Sequence, residues 1–125
     1  MRDAIRERLL EDISTLTDVW QPGMSDSTTT KPYAVVKYMG ESEGNIRKSY
    51  NRLIEVWVYM DRTSYNEVDN LLEEIIVSLT EKDLVTEDGY RFRLECTSTS
   101  QDGYFDKDLE AMSRFVTFTH YLLRG

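Results

Sequence analysis

The residues best suited to chemistry are a single cysteine, a single histidine and one cluster of acids. Nucleophilic catalysis sets a thiol or hydroxyl beside a base, and His120 is the only imidazole available. Cys96 and His120 fall on segments that read as strands and could be neighbours. Yet Cys96 alternates in phase with Phe92 and Leu94, as a small buried hydrophobe would. His120 keeps the phase of Val116, Phe118 and Leu122, so packing is preferred over catalysis for both. The acids Asp102, Asp106, Asp108 and Glu110 could offer oxygens to Ca²⁺ or Mg²⁺. Their spacing is not that of an EF-hand loop: Gly103 comes too early and the last position carries no acid. A solvated acidic turn is the preferred reading, and no catalytic residue, metal or cofactor is expected.

Two further constellations have blander readings of their own. Gly40 and Gly44 bracket an acidic segment with no Gly-Lys-Ser/Thr after it, the wrong chemistry for cradling phosphate. Arg47, Lys48, Arg52, Arg91 and Arg93 interleave with Tyr50 and Tyr90, as a single-strand nucleic-acid platform would. A surface matched to acidic neighbours is the preferred alternative. Trp20, Trp57, Tyr59, Tyr104 and Phe105 cannot all be assigned to one core by periodicity, and exposed aromatics in polar surroundings suit protein contacts, although Trp57 could equally lie under the first helix.

The whole chain sets the bounds. Its 125 residues fit one domain, 1–125, with a core large enough to need no disulfide. A net charge of −8 disfavours a sequence-specific DNA reader or an anionic membrane surface as partner. No apolar run reaches the ~20 residues that span a bilayer, and the first residues lack a signal-peptide core, so a cytoplasmic protein is expected. One Cys and one His are too few for a zinc cage within one chain.

Periodicity then supplies the elements that must position these residues. Ile5, Leu9, Ile13 and Leu16 predict an amphipathic helix over 2–16. Pro22-Gly23 and the Ser/Thr run after it predict a mobile loop over 22–31. Strands come next at 33–39 and 53–60. The second is apolar on both faces, with Ile54, Val56, Val58 and Met60 against Leu53, Trp57 and Tyr59, as in a central strand. Ser64 and Glu67 have capping-box form, and Val68, Leu71, Leu72, Ile75, Ile76 and Leu79 carry a helix to about Glu81. Strands at 90–97 and 114–122 complete an α-β-β-α-β-β order. The fold class is α+β: a mainly antiparallel sheet with the N-terminal and middle helices packed on one face.

Taken in order, these features resemble a known family. They are the N-terminal helix, the polar loop ending in Lys31-Pro32-Tyr33-Ala34-Val35-Val36, Glu55-Val56-Trp57-Val58-Tyr59, and Tyr65-Asn66-Glu67-Val68-Asp69 opening a helix. Phe92-Arg93-Leu94, Tyr104-Phe105-Asp106 and Phe115-Val116-Thr117-Phe118 complete the set. It is similar to the small tail-completion, tail-terminator and head-tail joining proteins of long-tailed bacteriophages and prophages. The resemblance spans nearly the whole chain as pattern and order. It implies a noncatalytic subunit that forms a ring, commonly a hexamer, on phage tail-tube or connector proteins. Such a subunit works in the host bacterial cytoplasm during assembly and then in the virion tail. Contacts in such rings commonly fall on the first long loop and the sheet edges. Here that means Met24, Ser25, Asp26, Thr28, Thr29 and Lys31, with Tyr104, Phe105 and Asp106 in a docking loop over 102–108. An acidic ring would repel DNA passing through it.

Two other classes stay open at this level. A small ligand-binding or regulatory homodimer would line a pocket with the aromatics. A hydrolase would use Cys96 or the acids of 102–110.

Overall fold

The computed structural model describes residues 2–24, 29–39, 52–61, 65–80, 82–86, 89, 91–100, 104–107 and 111–123. Its elements are α1 (Arg2–Asp12), β1 (Asp18–Trp20), β2 (Tyr33–Met39), β3 (Arg52–Met60), α2 (Tyr65–Leu79), β4 (Leu84–Val85), β5 (Arg91–Thr99), β6 (Tyr104–Asp106) and β7 (Ala111–Leu123). The fold is α+β with a mainly antiparallel sheet in the order β1-β2-β3-β7-β5-β4, and β6 pairs with β7. The α-β-β-α-β-β order is therefore corrected: three short strands, β1, β4 and β6, join the four long ones. At two or three residues each they are too short to show an alternation. Pairing with a longer neighbour defines them.

β3 is central, with Arg52–Met60 antiparallel to β2 on one side and to β7 on the other. Its alternation divides the sheet into two faces. Ile54, Val56 and Val58 look the same way as Ala34, Val36, Val116 and Phe118, and this face meets α1 and α2 in one continuous core. Ile5, Leu9 and Ile13 of α1 and Val68, Leu72, Ile75 and Leu79 of α2 supply the helical side. On the opposite face, Tyr33, Val35, Tyr59 and Ala111 form a second, smaller core, with Trp20 and Trp57 packed against it.

Helix α1 ends at Asp12, four residues before its apolar stripe does. Leu16 is still buried, held by a turn in which its N–H donates to the Ile13 carbonyl at 3.3 Å. What stops the helix is the demand of β1. The Thr17 N–H donates to the Pro32 carbonyl at 2.9 Å, and the Thr17 hydroxyl reaches the Thr30 carbonyl at 2.7 Å. These bonds draw the chain into a strand parallel to β2. The Lys31–Pro32 peptide is cis. Helix α2 starts where expected, although Ser64, its proposed cap, lies outside the described residues.

The segment after Cys96 also departs from expectation. β5 continues to Thr99, with a register shift between Cys96 and Ser98, and β6 occupies Tyr104–Asp106 inside the expected docking loop. β3 holds one edge of β7, so β5 and β6 share the other. The two form a single long hairpin with β7, interrupted after Ser100. Of the loop over 22–31, residues 22–24 and 29–31 are described. There Gly23 takes φ 82°, a left-handed turn conformation that favours glycine.

Leu72 is 2% exposed and lies in the main core. Leu72→Ala should cost about 2–5 kcal/mol, read as a lower urea midpoint at unchanged slope. Val77→Ala, on the exposed side of the same helix, should stay within about 0.5 kcal/mol. Equal effects from both would contradict the assignment of faces.

Candidate functional site

The small core carries a row of aromatic rings. Tyr33 on β2 stacks on Tyr59 of β3 with centroids 5.0 Å apart, and Trp57 lies next to Tyr59 at 6.3 Å. Trp57 in turn stacks on Phe115 of β7 at 4.5 Å. The interplanar angles of 16° to 27° make these face-to-face contacts, a result of the cross-strand pairing of Tyr33 with Tyr59 and of Trp57 with Phe115. Lys37 Nζ lies 4.4 Å from the Trp57 centroid, and the indole N–H donates to Glu55 Oε1 at 2.9 Å. Ring faces are thus spent on neighbouring rings and on Lys37. A base-stacking platform needs open faces, so this row serves packing. The grouping of Trp57 and Tyr59 with exposed binding aromatics is corrected accordingly: Tyr59 is core and Trp57 is half-buried against it.

The basic stripe resolves in a similar way. Arg91 Nη2 and Arg93 Nε both meet Asp83, at 2.8 Å and 2.5 Å, and their two hydrogen bonds, Arg93's first, hold its carboxyl below the usual range. Arg47, Lys48, Tyr50 and Tyr90 lie outside the described residues, as do Gly40, Gly44, Asp102, Asp108 and Glu110. Among the described residues no group of three His, Cys, Asp or Glu side chains is placed to hold a metal ion.

Cys96 and His120 do fall on adjacent strands, but they are not register partners: Cys96 faces Phe118 and His120 faces Leu94. His120 is buried and meets Phe92 edge-on at 6.1 Å. Burial, and after it the nearby Glu73 carboxylate, pushes the Cys96 thiol up, which favours the neutral form over the nucleophilic thiolate.

The residues expected to make protein contacts separate into two patches. Met24, 65% exposed, shares a cleft of about 310 Å³ with Trp20, Asp18 and Arg6 at the β1 edge. Thr29 and Thr30 line a second cleft of about 480 Å³ on Thr17, Asp18 and Trp20. The Trp20 indole N–H is buried here and has no hydrogen-bond partner among the described residues. Lys31 is half-buried nearby in sequence, whereas Ser25, Asp26 and Thr28 lie outside the described residues. On the far side, Phe105 is 40% exposed and Lys107 is exposed where β6 turns toward β7. Tyr104 and Asp106 pair in register with Ser113 and Ala111. β2, β3 and β7 lie between β1 and β6, a separation of roughly 19 Å at the usual strand spacing. The structure therefore does not bring the two groups together. It sets them on opposite sides of the sheet.

Sequence reading missed a third feature, a cleft of about 540 Å³ between α1 and α2, lined by Asp12, Ile13, Glu73, Val77, Ser78 and Lys82. The only signal for it was Val77, an apolar residue off the α2 stripe. At its floor the Ser78 hydroxyl donates to Asp12 Oδ2 at 2.7 Å, and Arg8 Nε lies 3.0 Å from the same oxygen. The Ser78 bond, aided by Arg8 and Lys82 against the cost of burial, holds the Asp12 carboxyl below its ordinary 3.8. No protein-family model and no curated protein matches this chain.

A carboxyl with a depressed folded pKa contributes stability above its ordinary value, and that contribution fades as pH falls through the folded value. Asp12→Asn should therefore be less stable than the parent at pH 7. The gap should narrow as pH drops below 3.8, measured as urea midpoints across a pH series. A gap independent of pH would exclude the ionised Asp12–Ser78 bond as its source.

Proposed function

We propose that this chain is a structural assembly subunit of a phage or prophage tail, a tail-completion or head-tail connector protein. In this reading it joins copies of itself head to tail in a ring and docks on tail-tube or connector proteins. The observation that carries the reading is the pair of dissimilar patches on opposite sides of one sheet: Met24 and the Trp20 clefts at β1, Phe105 and Lys107 at β6. A two-fold dimer uses one patch twice. Two different patches suit a heterologous contact, which closes into a ring when the rotation allows. The sequence segments that carry the family resemblance add support. The proposed setting is the host bacterial cytoplasm during assembly and then the virion tail. Among the described residues no helix is long and apolar enough to cross a membrane.

A second reading, a small ligand-binding homodimer, draws on the two clefts beside Trp20, whose size is that of small-molecule pockets. Light scattering on purified protein separates the two. The parent chain should form a ring-sized species as concentration rises. Met24→Glu and Phe105→Glu should each be monomeric alone, and an equimolar mixture should give a dimer and nothing larger, because each retains one intact patch. A dimer that persists in both variants would overturn the head-to-tail assembly and favour the homodimer.

A further inference from the structure

Negative charge collects at the cleft between α1 and α2. Both helices end beside it: α1 stops at Asp12 and α2 at Leu79, and the lining comes from residues 12–15 and from Glu73, Glu74, Val77 and Ser78. The C-terminal end of a helix carries a partial negative charge, which a basic side chain in the last turn commonly answers. Neither helix has one. The last turn of α1 holds Glu11 and Asp12 instead.

Asp12 is engaged by the Ser78 hydroxyl and by Arg8, but Glu73 and Glu74 are not so placed. Both are exposed, and neither is paired with a cation among the described residues, whereas Asp12, Asp18, Asp69 and Asp83 each meet an arginine. Glu73 and Glu74 stand four and three residues before Val77, so all three share one face of α2. Val77 is 65% exposed there, an apolar surface left open to the cleft. Lys82, near Asp12, is the one cation among the described lining residues.

These features select the occupant. Among the described residues no three His, Cys, Asp or Glu side chains are placed to hold a metal ion, so a bare metal ion is the wrong guest. A cation carried on an apolar stem fits instead, its head at the two glutamates and its stem along Val77. The rise between them is one helical turn, about 5.4 Å, the length of roughly four to five methylene groups. The volume, about 540 Å³, is that of a small-molecule pocket.

We infer that the α1–α2 cleft binds an ammonium group on an aliphatic stem, with Glu73 and Glu74 receiving the charge and Val77 the stem. The inference is independent of the assembly reading. Two sources share this chemistry, a free diamine or polyamine and a lysine side chain on another protein.

The test follows amide chemical shifts of the isotope-labelled full chain during titration with cadaverine, with lysine blocked at its α-amino and carboxyl groups, and with pentanol, which has the stem without the charge. The amines should shift residues 12–15 and 73–78 saturably, and pentanol at the same concentrations should not. Glu73→Gln with Glu74→Gln should weaken amine binding about ten-fold, the loss of two exposed charge contacts. Val77→Ser should weaken it about three-fold through lost apolar contact. Glu7→Gln with Glu95→Gln removes the same net charge from other exposed positions and should change binding by less than about two-fold, because salt screens distant charges. Equal weakening by the two glutamate pairs, shifts scattered over the whole surface, equal shifts from pentanol, or no saturable shift with either amine would overturn the inference. Tighter binding of cadaverine assigns the site to a free amine. Equal or tighter binding of the blocked lysine assigns it to the side chain of a protein partner.

Discussion

The structure depends on β3 being satisfied in four directions at once. Its backbone is paired with β2 on one edge and with β7 on the other, one face is buried beneath the helices, and the opposite face is covered at Tyr59 and partly at Trp57. Leaving a central strand's main-chain groups unpaired would cost more than most side-chain contacts return. The positions of β2 and β7 are therefore dictated by β3, and the helices take their places because the face with Val56 and Val58 must be removed from water. Helix α2 begins within five residues of the end of β3, so the chain folds directly back over that face.

Much of this was legible. The double-sided apolar pattern of 53–60 marks a central strand, and the stripe from Val68 to Leu79 marks the helix above it, because burial on that scale leaves a period. Short strands leave none. Asp18–Trp20, Leu84–Val85 and Tyr104–Asp106 are strands through pairing with a longer strand further along the chain, and composition carries no trace of that pairing. The early end of α1 is hidden for the same reason: Ile13 and Leu16 keep helical spacing, while tertiary bonds from Thr17 to Pro32 and Thr30 override it.

The candidate contact residues were readable as two groups, but their relation was not. Met24 and Phe105 stand out as apolar residues among polar neighbours, yet only the strand order shows that three strands separate them. For Trp57 and Tyr59 the reading went the other way. Aromatics left over after one core was filled looked like surface, because periodicity does not announce a second core on the opposite face of the sheet.

The pairing of β3 with β7 also governs how the chain reaches its fold. The partners are separated by 52 residues at Met60–Met112 and by 68 at Arg52–His120. Contacts so far apart close slowly, whereas β2, β3 and α2 are close enough in sequence to meet first. For that interval the edge of β3 destined for β7 has no native partner, and a β7 from a neighbouring molecule satisfies it in the same register. In concentrated refolding the competing product is thus an exchange of the β5–β7 hairpin between chains. Dimers that survive dilution after such refolding would be its signature, distinct from any reversible association of the native subunit.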